Sequence, residues 1–302
     1  MQLTFGNVRT SWVRYDKYEY RTAPDGHDYL MPAKDAKPDF LNPLADAETL
    51  VCDALNVGRH AMNEDSKYDM KAEICAFAQK YGLLGLITAL PTTPDFVDYE
   101  AVYLPKNRFF EEETMDTMRY VDHFFPFEKP KFHKEGLKSV LAIDDRAMIP
   151  LALAAGDIPR GEIMSYLNVY GERFDWLLAQ FQDWAFTYMT SFFYYHDYDD
   201  LNDDTKHLLQ QSMVAFGGNV PHYHVALGKE HPQLVWDFHS LLLCIQTMFI
   251  FLLTEEKTKL RMCEQCNDIF ISDKANARFC THACKNLYNV EKSRRKGSKH
   301  DQ

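Results

Sequence analysis

Four cysteines near the C-terminus constrain the fold of this chain more than any other feature of its sequence. Cys263 and Cys266 form a C-x2-C pair, 13 residues follow, and Cys280 and Cys284 form a C-x3-C pair. Two short turns of this kind can place four thiolates around one tetrahedral zinc ion, about 2.3 Å from each sulfur. Protein then fills all four positions, so the spacing predicts one closed, structural Zn²⁺ site. Four unconnected cysteines, or two disulfides, are the alternatives.

The composition predicts a folded, cytoplasmic protein. The chain has 302 residues, 46% of them hydrophobic, which suffices for one large domain or two modest ones. Cys52, Cys75 and Cys244 lie in apolar helical contexts and are predicted to be buried free thiols, which suits a reducing compartment. The N-terminus lacks the pattern of a signal peptide, and the longest apolar run, Leu241–Leu253, is too short to span a bilayer. We therefore expect no membrane association.

The hydrophobic periodicity predicts a mainly α fold with minor β, divided into two domains. A mostly helical domain with some N-terminal strand is expected over residues 1–256, and a four-cysteine zinc-finger module with a basic C-terminal helix over 257–302. The expected elements are helices at 45–62, 70–81, 111–125 and 160–196, a strand at 222–227, and one long buried helix from Pro232 to about Leu260 that leads directly into Cys263. Because no Gly, Pro or Ser linker precedes Cys263, we expect the module to be held rigidly on the helical domain.

The four-cysteine module has the sequence pattern of a treble clef, in which a knuckle and a small hairpin precede a helix. Cys280 and Cys284 are four residues apart and share one face of a helix, for which Thr281 is a candidate N-cap. Thiolates near a helix N-terminus are stabilised by its exposed N–H groups. Ile269 and Ile271, or Phe270, would form the apolar face of the hairpin.

From Phe249 onward the chain reads FIFLLTEEKTKLRMCEQCNDIFISDKANARFCTHACKNLYNVEKSRRK, which resembles the C-terminus of the CGNR zinc-finger family. In that resemblance Cys263 and Cys266 match the first cysteine pair of the family, and Ile269, Phe270, Ile271 and Asp273 match its hairpin. Phe279-Cys280 matches its aromatic-cysteine step, Cys284 its last ligand and Asn286 its asparagine. Lys285 and Leu287 replace the family's glycine and arginine. The resemblance implies a bacterial-type transcription regulator whose N-terminal part is an ABATE-like helical domain.

Charge places any contact with nucleic acid at the C-terminus. Residues 257–302 carry 11 Lys/Arg against 5 Asp/Glu, a net charge of +6, whereas the whole chain carries −11, so the remainder carries −17. Basic side chains on a helix held by a metal site can neutralise phosphates, and an Asn can bond an adenine edge. The candidate DNA-binding residues are Lys285, Asn286, Lys292, Arg294, Arg295 and Lys296. A solvated tail is the alternative.

The sequence offers little other chemistry. His222 and His224 share a face of the expected strand, near His231 and His239, and are weighed as a second metal site against half-exposed structural histidines. No catalytic motif is found, so an enzyme is not expected. The aromatic residues from Trp176 to Tyr195 exceed what one helix face needs, which leaves open a small-molecule ligand, a protein partner or a homo-oligomer contact. The first hypothesis is a zinc-dependent DNA-binding transcriptional regulator; the alternative is a protein-interaction scaffold whose zinc is purely structural.

Overall fold

The computed structural model describes residues 8–63, 68–93, 96–105, 107–129, 164–214, 222–227, 231–254, 260–274 and 276–297. These residues form eight α-helices and five small β-sheets, in agreement with the predicted helical fold with minor β. The chain divides into two compact units. The first unit comprises residues 1–46, 69–180 and 217–246; the second comprises 47–68, 181–216 and 247–302. The predicted domain boundary after residue 256 stays a prediction.

The helices are distributed over both units, and two of them continue from the first unit into the second. They are α1 (Ala47–Ala61), α2 (Met70–Tyr81), α3 (Leu86–Ala89), α4 (Thr117–Asp122), α5 (Phe174–His196), α6 (Asp203–Val214), α7 (Leu241–Thr254) and α8 (His282–Gly297). Among the described residues, no helix is both long enough and apolar enough to cross a membrane.

The strands are short, and the sheets have at most three strands each. The strands are β1 (Val8–Arg9), β2 (Trp12–Tyr15), β3 (Tyr18–Thr22), β4 (Asp28–Pro32), β5 (Pro38–Leu41), β6 (Ala101–Tyr103), β7 (Thr114–Asp116), β8 (Glu172–Arg173), β9 (His222–Leu227), β10 (Pro232–Asp237), β11 (Leu260–Met262) and β12 (Ile269–Ile271). The first unit holds the sheets β1-β10-β9, β2-β5, β3-β4-β8 and β6-β7, and the second holds β11-β12. All pairs are antiparallel except β1 with β10.

Helix α2 forms where the sequence predicts it, because both of its ends are encoded locally. The Asp69 side chain accepts hydrogen bonds from the backbone N–H groups of Lys71 and Ala72, as an N-cap does. Gly82 ends the helix with φ at 95°, and a Cβ added there would lie 2.3 Å from the Val13 carbonyl oxygen. Only glycine fits this position.

Three predicted helices are wrong in part. The expected helix at 160–196 contains strand β8, and only its later part, α5, forms one continuous helix. The expected helix from Pro232 to Leu260 begins with strand β10, whose residues pair with β9 on one side and β1 on the other, and only α7 is helical. Residues 255–259 lie outside the described part of the chain. The expected helix at 111–125 is shortened to α4, because Thr114–Asp116 pairs with β6 and Asp116 then caps α4 through the Arg119 N–H group.

A buried carboxylate organises the core of the first unit. Glu172 is fully buried and accepts hydrogen bonds from the backbone N–H groups of Leu84 and Leu86, at 2.9 and 2.7 Å, and from the Tyr170 hydroxyl at 2.5 Å. The Trp12 indole N–H donates to the Leu83 carbonyl in the same loop. The backbone N–H groups of Leu84 and Leu86, in the loop between α2 and α3, would otherwise be buried without a partner. The Glu172 side chain accepts hydrogen bonds from both of them.

In the second unit, α1 packs closely against the part of α5 that belongs to this unit. A Cβ added to Gly58 would lie 1.9 Å from the Phe181 carbonyl oxygen and 2.8 Å from the Ala185 Cβ. Phe181, Trp184 and Leu55 are almost completely buried in this unit. The backbone of α1 is thus fixed in the core that carries the cysteine cluster.

Candidate metal centre

The four predicted cysteines come together in the second unit. The sulfur atoms of Cys263, Cys266, Cys280 and Cys284 all lie within 4.8 Å of one another. The Cys266–Cys280 and Cys280–Cys284 sulfur distances are 3.6 and 3.5 Å. Four sulfurs placed tetrahedrally about 2.3 Å from a central ion lie about 3.8 Å apart, so this spacing fits one metal ion. All four thiols are free, which excludes the two-disulfide alternative in this structure.

The first cysteine pair is shaped by a tight turn between β11 and β12. The Asn267 N–H group donates to the Cys263 carbonyl at 2.8 Å, and the Cys263 N–H group donates to the Asp268 carbonyl at 2.9 Å. Asn267 adopts a φ of 61°, a left-handed conformation that Asn tolerates better than most residues. The sulfurs on either side of this turn lie within 4.8 Å of each other.

The second cysteine pair lies at the beginning of α8. The Thr281 hydroxyl accepts a hydrogen bond from the Cys284 N–H group at 3.2 Å, so the predicted N-cap is confirmed. Cys280 precedes the helix and Cys284 lies in its first turn. The helix N-terminus therefore directs its positive end toward sulfurs that would carry negative charge as ligands.

The electrostatics of the cluster favour thiolates once a cation is bound. Burial raises the pKa of the Cys263 thiol, but the backbone N–H groups of Cys266, Cys280 and Gln265 outweigh burial and lower this pKa to about 7. Burial raises the pKa of Cys280 to about 11 and raises that of Cys266 as well. A divalent ion supplies the positive charge that favours thiolates at these partly buried sulfurs, since a coordinating thiol loses its proton.

Helix α1 binds the hairpin of the cluster through one asparagine. The Asn56 amide donates to the Ile269 carbonyl at 2.8 Å and accepts from the Ile269 N–H group at 2.7 Å. The Asn56 side chain thus forms hydrogen bonds with both the N–H group and the carbonyl group of Ile269, as the backbone of a neighbouring strand would. The Cys52 thiol, one turn earlier on α1, also donates to the Ile269 carbonyl at 3.3 Å. Helix α1 therefore contacts the hairpin directly, whereas residues 255–259, through which the expected helix would continue, lie outside the described part of the chain.

Charged residues next to Asn56 reinforce this attachment. Arg59 forms an ion pair with Asp268, and His60 Nε2 lies 3.2 Å from the same carboxylate. The His60 ring stacks on Tyr68 with centroids 3.8 Å apart. Asn56, Arg59 and His60 were not predicted as site residues, although their spacing of three and four residues places them on one face of α1.

The inner face of α8 packs on the cysteine turns. Tyr288 contacts the Phe279 ring with centroids 5.0 Å apart, and the Arg278 guanidinium lies over both rings. Arg278 also forms an ion pair with Glu264, in the turn between Cys263 and Cys266. These contacts connect the two cysteine pairs independently of the metal.

Four of the six predicted nucleic-acid residues lie on the exposed surface of α8. Lys285, Asn286, Lys292 and Arg294 are exposed. Lys285 and Lys292 are two helical turns apart and share one side of the helix. Leu287 and Val290 are also exposed, by 51% and 46%. The side chains of Arg295 and Lys296 lie outside the described part of the chain.

Replacing Asn56 by alanine should loosen the hairpin that carries Cys263 and Cys266. The N–H group of Ile269 loses its Asn56 partner and the carbonyl keeps only the Cys52 thiol, at a cost of about 1–3 kcal/mol for a buried group left unpaired. We expect a lower melting temperature and faster hydrogen exchange of the Ile269 amide. Asn289→Ala, an exposed asparagine on α8, is the matched control. Unchanged protection of Ile269 would contradict the attachment through α1.

No family model, no curated protein and no solved structure matches this chain. The resemblance to the CGNR zinc-finger family therefore stays a prediction that rests on the residues around the four cysteines.

Proposed function

We propose that the cysteine cluster binds one structural Zn²⁺ ion and that the segment from β11 to α8 is a treble clef. The sulfur spacing and the order of knuckle, hairpin and helix support this assignment. Four protein ligands leave no open position for a reactive water, so the ion would stabilise the fold without taking part in a reaction. A cytoplasmic location completes this part of the proposal, because a reducing compartment keeps four thiols available.

We propose further that the chain is a DNA-binding transcriptional regulator in which the zinc module presents α8 to the duplex. The observation that carries this proposal is the exposure of Lys285, Asn286, Lys292 and Arg294 on a helix whose first turn contains a metal ligand. Within the described part of the chain, the structure records no ion pair for Lys285 or Arg294. These charges are therefore available for phosphates.

The helices of the second unit would supply the regulatory contact in this proposal. Three aromatic side chains of α5 are exposed: Phe186 by 55%, Phe193 by 41% and Tyr195 by 77%. Exposed aromatic residues of this kind are typical of surfaces that bind another molecule or a second copy of the chain. A small-molecule ligand, a protein partner and a homo-oligomer all stay within the proposal.

Charge reversal on α8 tests the DNA-binding proposal. In the triple variant with Lys285→Glu, Lys292→Glu and Arg294→Glu, we expect binding to a mixed-sequence duplex to be lost at moderate salt. Each phosphate contact removed should reduce the slope of log K against log salt by about 0.9, because fewer counterions are released. Fluorescence anisotropy over a salt series measures both quantities.

The control for this experiment changes the net charge equally at other exposed positions. Lys17→Glu, Lys34→Glu and Lys37→Glu, all in the first unit, should leave binding close to that of the unchanged protein. An equal loss in the control would show that only overall charge matters. Absence of duplex binding by the unchanged protein at low salt would overturn the proposal.

A protein-interaction scaffold is the second candidate, and the exposed Leu287 and Val290 favour it. These residues lie three apart, and Arg294 lies seven residues after Leu287, so the three share one side of α8, away from Lys285 and Lys292. If the charge-reversed protein still binds a partner protein, and replacement of Leu287 by aspartate abolishes that binding, the scaffold is the better account.

A further inference from the structure

Two histidine rings meet at one end of the β9–β10 hairpin in the first unit. His222 begins β9 directly opposite Asp237, and His239 follows two residues later. His239 Nε2 lies 3.1 Å from His222 Nδ1, and the two ring planes are nearly perpendicular, at 88°, with centroids 4.9 Å apart. The sequence predicts that His222 and His224 share one face of the strand. In the structure the ring that contacts His222 is that of His239. The side chain of His224 lies outside the described part of the chain.

The backbone of His239 is held in an uncommon conformation that aims its ring at His222. Its φ is 57°, in the left-handed region that few non-glycine residues adopt. Its N–H group donates to Asp237 Oδ1 at 2.9 Å, and the Thr88 hydroxyl donates to its carbonyl at 2.5 Å. Strained residues persist where surrounding contacts fix them, and they are concentrated at functional sites.

A carboxylate lies behind the buried ring. Asp237 Oδ1 is 3.3 Å from His239 Nδ1, and the His239 side chain is only 8% exposed. The same Oδ1 accepts the hydrogen bond of the His239 backbone N–H group, and its negative charge near Nδ1 favours the neutral tautomer that carries the proton on Nδ1. The lone pair of His239 then resides on Nε2, the atom that faces His222. Histidines that ligate metals commonly have a carboxylate near their other ring nitrogen.

The distance between the two facing nitrogens suits a shared ion. Two imidazole nitrogens about 2.1 Å from one ion, at an angle between a right angle and the tetrahedral angle, lie roughly 3.0–3.4 Å apart. The observed 3.1 Å falls within this range. His222 is exposed, so an ion at this position would remain open to solvent and could take its other ligands from water.

We propose that His222 Nδ1 and His239 Nε2 form a second metal site, oriented by Asp237, that binds a divalent transition metal of the kind that prefers imidazole. Zn²⁺, Ni²⁺, Co²⁺ and Cu²⁺ are of this kind, whereas Mg²⁺ and Ca²⁺ prefer oxygen ligands. The site has two protein ligands and is solvent-accessible, so its ion exchanges readily. It does not depend on the four cysteines or on any role of α8.

Cobalt titration of the full-length protein, with its cysteine cluster already loaded with zinc, tests this proposal. We expect one further equivalent of Co²⁺ to bind without sulfur-to-cobalt charge-transfer absorption, which shows that the cysteines keep their zinc. In NMR spectra the imidazole signals of His222 and His239 should broaden, whereas those of His231, at the opposite end of the hairpin, should not.

Variants assign the binding to these residues. His222→Ala, an exposed position whose loss does not endanger folding, should lower the cobalt affinity at least tenfold, and Asp237→Asn should lower it roughly 10–100-fold by loss of the orienting carboxylate. His231→Ala is the matched control and should bind cobalt as the unchanged protein does. If no further equivalent binds, or if His222→Ala binds equally well, the two histidines are only a hydrogen-bonded pair and the proposal is overturned.

Discussion

Replacing Cys280 by serine should release the metal and unfold the segment from β11 to α8. A hydroxyl is a poor ligand for an ion held by thiolates, and zinc ligation contributes about 10–16 kcal/mol to the folding of small zinc modules. The segment has little core of its own beyond Leu260 and Ile269, so the remaining contacts cannot replace the ion. Metal content, thermal unfolding and hydrogen exchange of residues 260–271 should all change together.

Cys75→Ser is the matched control for this experiment. Cys75 lies in the first unit, outside the cluster, where its thiol lies 3.7 Å from the Tyr18 carbonyl. Serine can make the same bond, so we expect the metal to be retained and the exchange of residues 260–271 to be unchanged. If Cys280→Ser retained its metal and its protection, the ion would not be what folds the segment.

Replacing Glu172 by glutamine should destabilise the first unit by about 2–4 kcal/mol. The carboxylate accepts hydrogen bonds through both oxygens. Glutamine replaces one oxygen by an NH2 group, which cannot accept a hydrogen bond from the N–H group of Leu84 or Leu86 that faces it. A buried donor left without a partner costs about 1–3 kcal/mol, and loss of a bond to a charged group costs more. Denaturant unfolding of the two proteins measures the difference.

Glu19→Gln is the control, because Glu19 is an exposed carboxylate on β3 of the same unit. Its free energy of unfolding should stay within about 0.5 kcal/mol of the unchanged protein. An equally small effect for Glu172→Gln would mean that the loop from Leu83 to Leu86 does not depend on the carboxylate.

Elements that are determined by neighbouring residues could be predicted from the sequence. Helix α2 has its cap at Asp69 and its stop at Gly82, and its bounds agree with the prediction at both ends. The start of α6 is also determined locally, since the Asn202 side chain accepts from the Thr205 N–H group. The cysteine cluster belongs to this class as well, because ligand spacing within each pair is a local property.

Features that depend on distant residues could not be predicted in this way. Pro232–Asp237 has an apolar content that fits a helix, and only its pairing with β9 and β1 makes it a strand. The attachment of the hairpin joins Asn56 to Ile269, which are 213 residues apart. No local pattern connects such residues, although the polar face of α1 was visible in its spacing. Glu172 likewise serves a loop nearly ninety residues before it.

The zinc content of the purified protein tests the central claim most directly. Elemental analysis of protein purified under reducing conditions without added metal, together with titration of its free thiols before and after chelation, gives the stoichiometry and the ligands. We predict one equivalent of zinc per chain, with four thiols that become reactive only when the zinc is removed. Protein that is folded, contains well under one equivalent of any metal, and has all four thiols freely reactive would contradict the account.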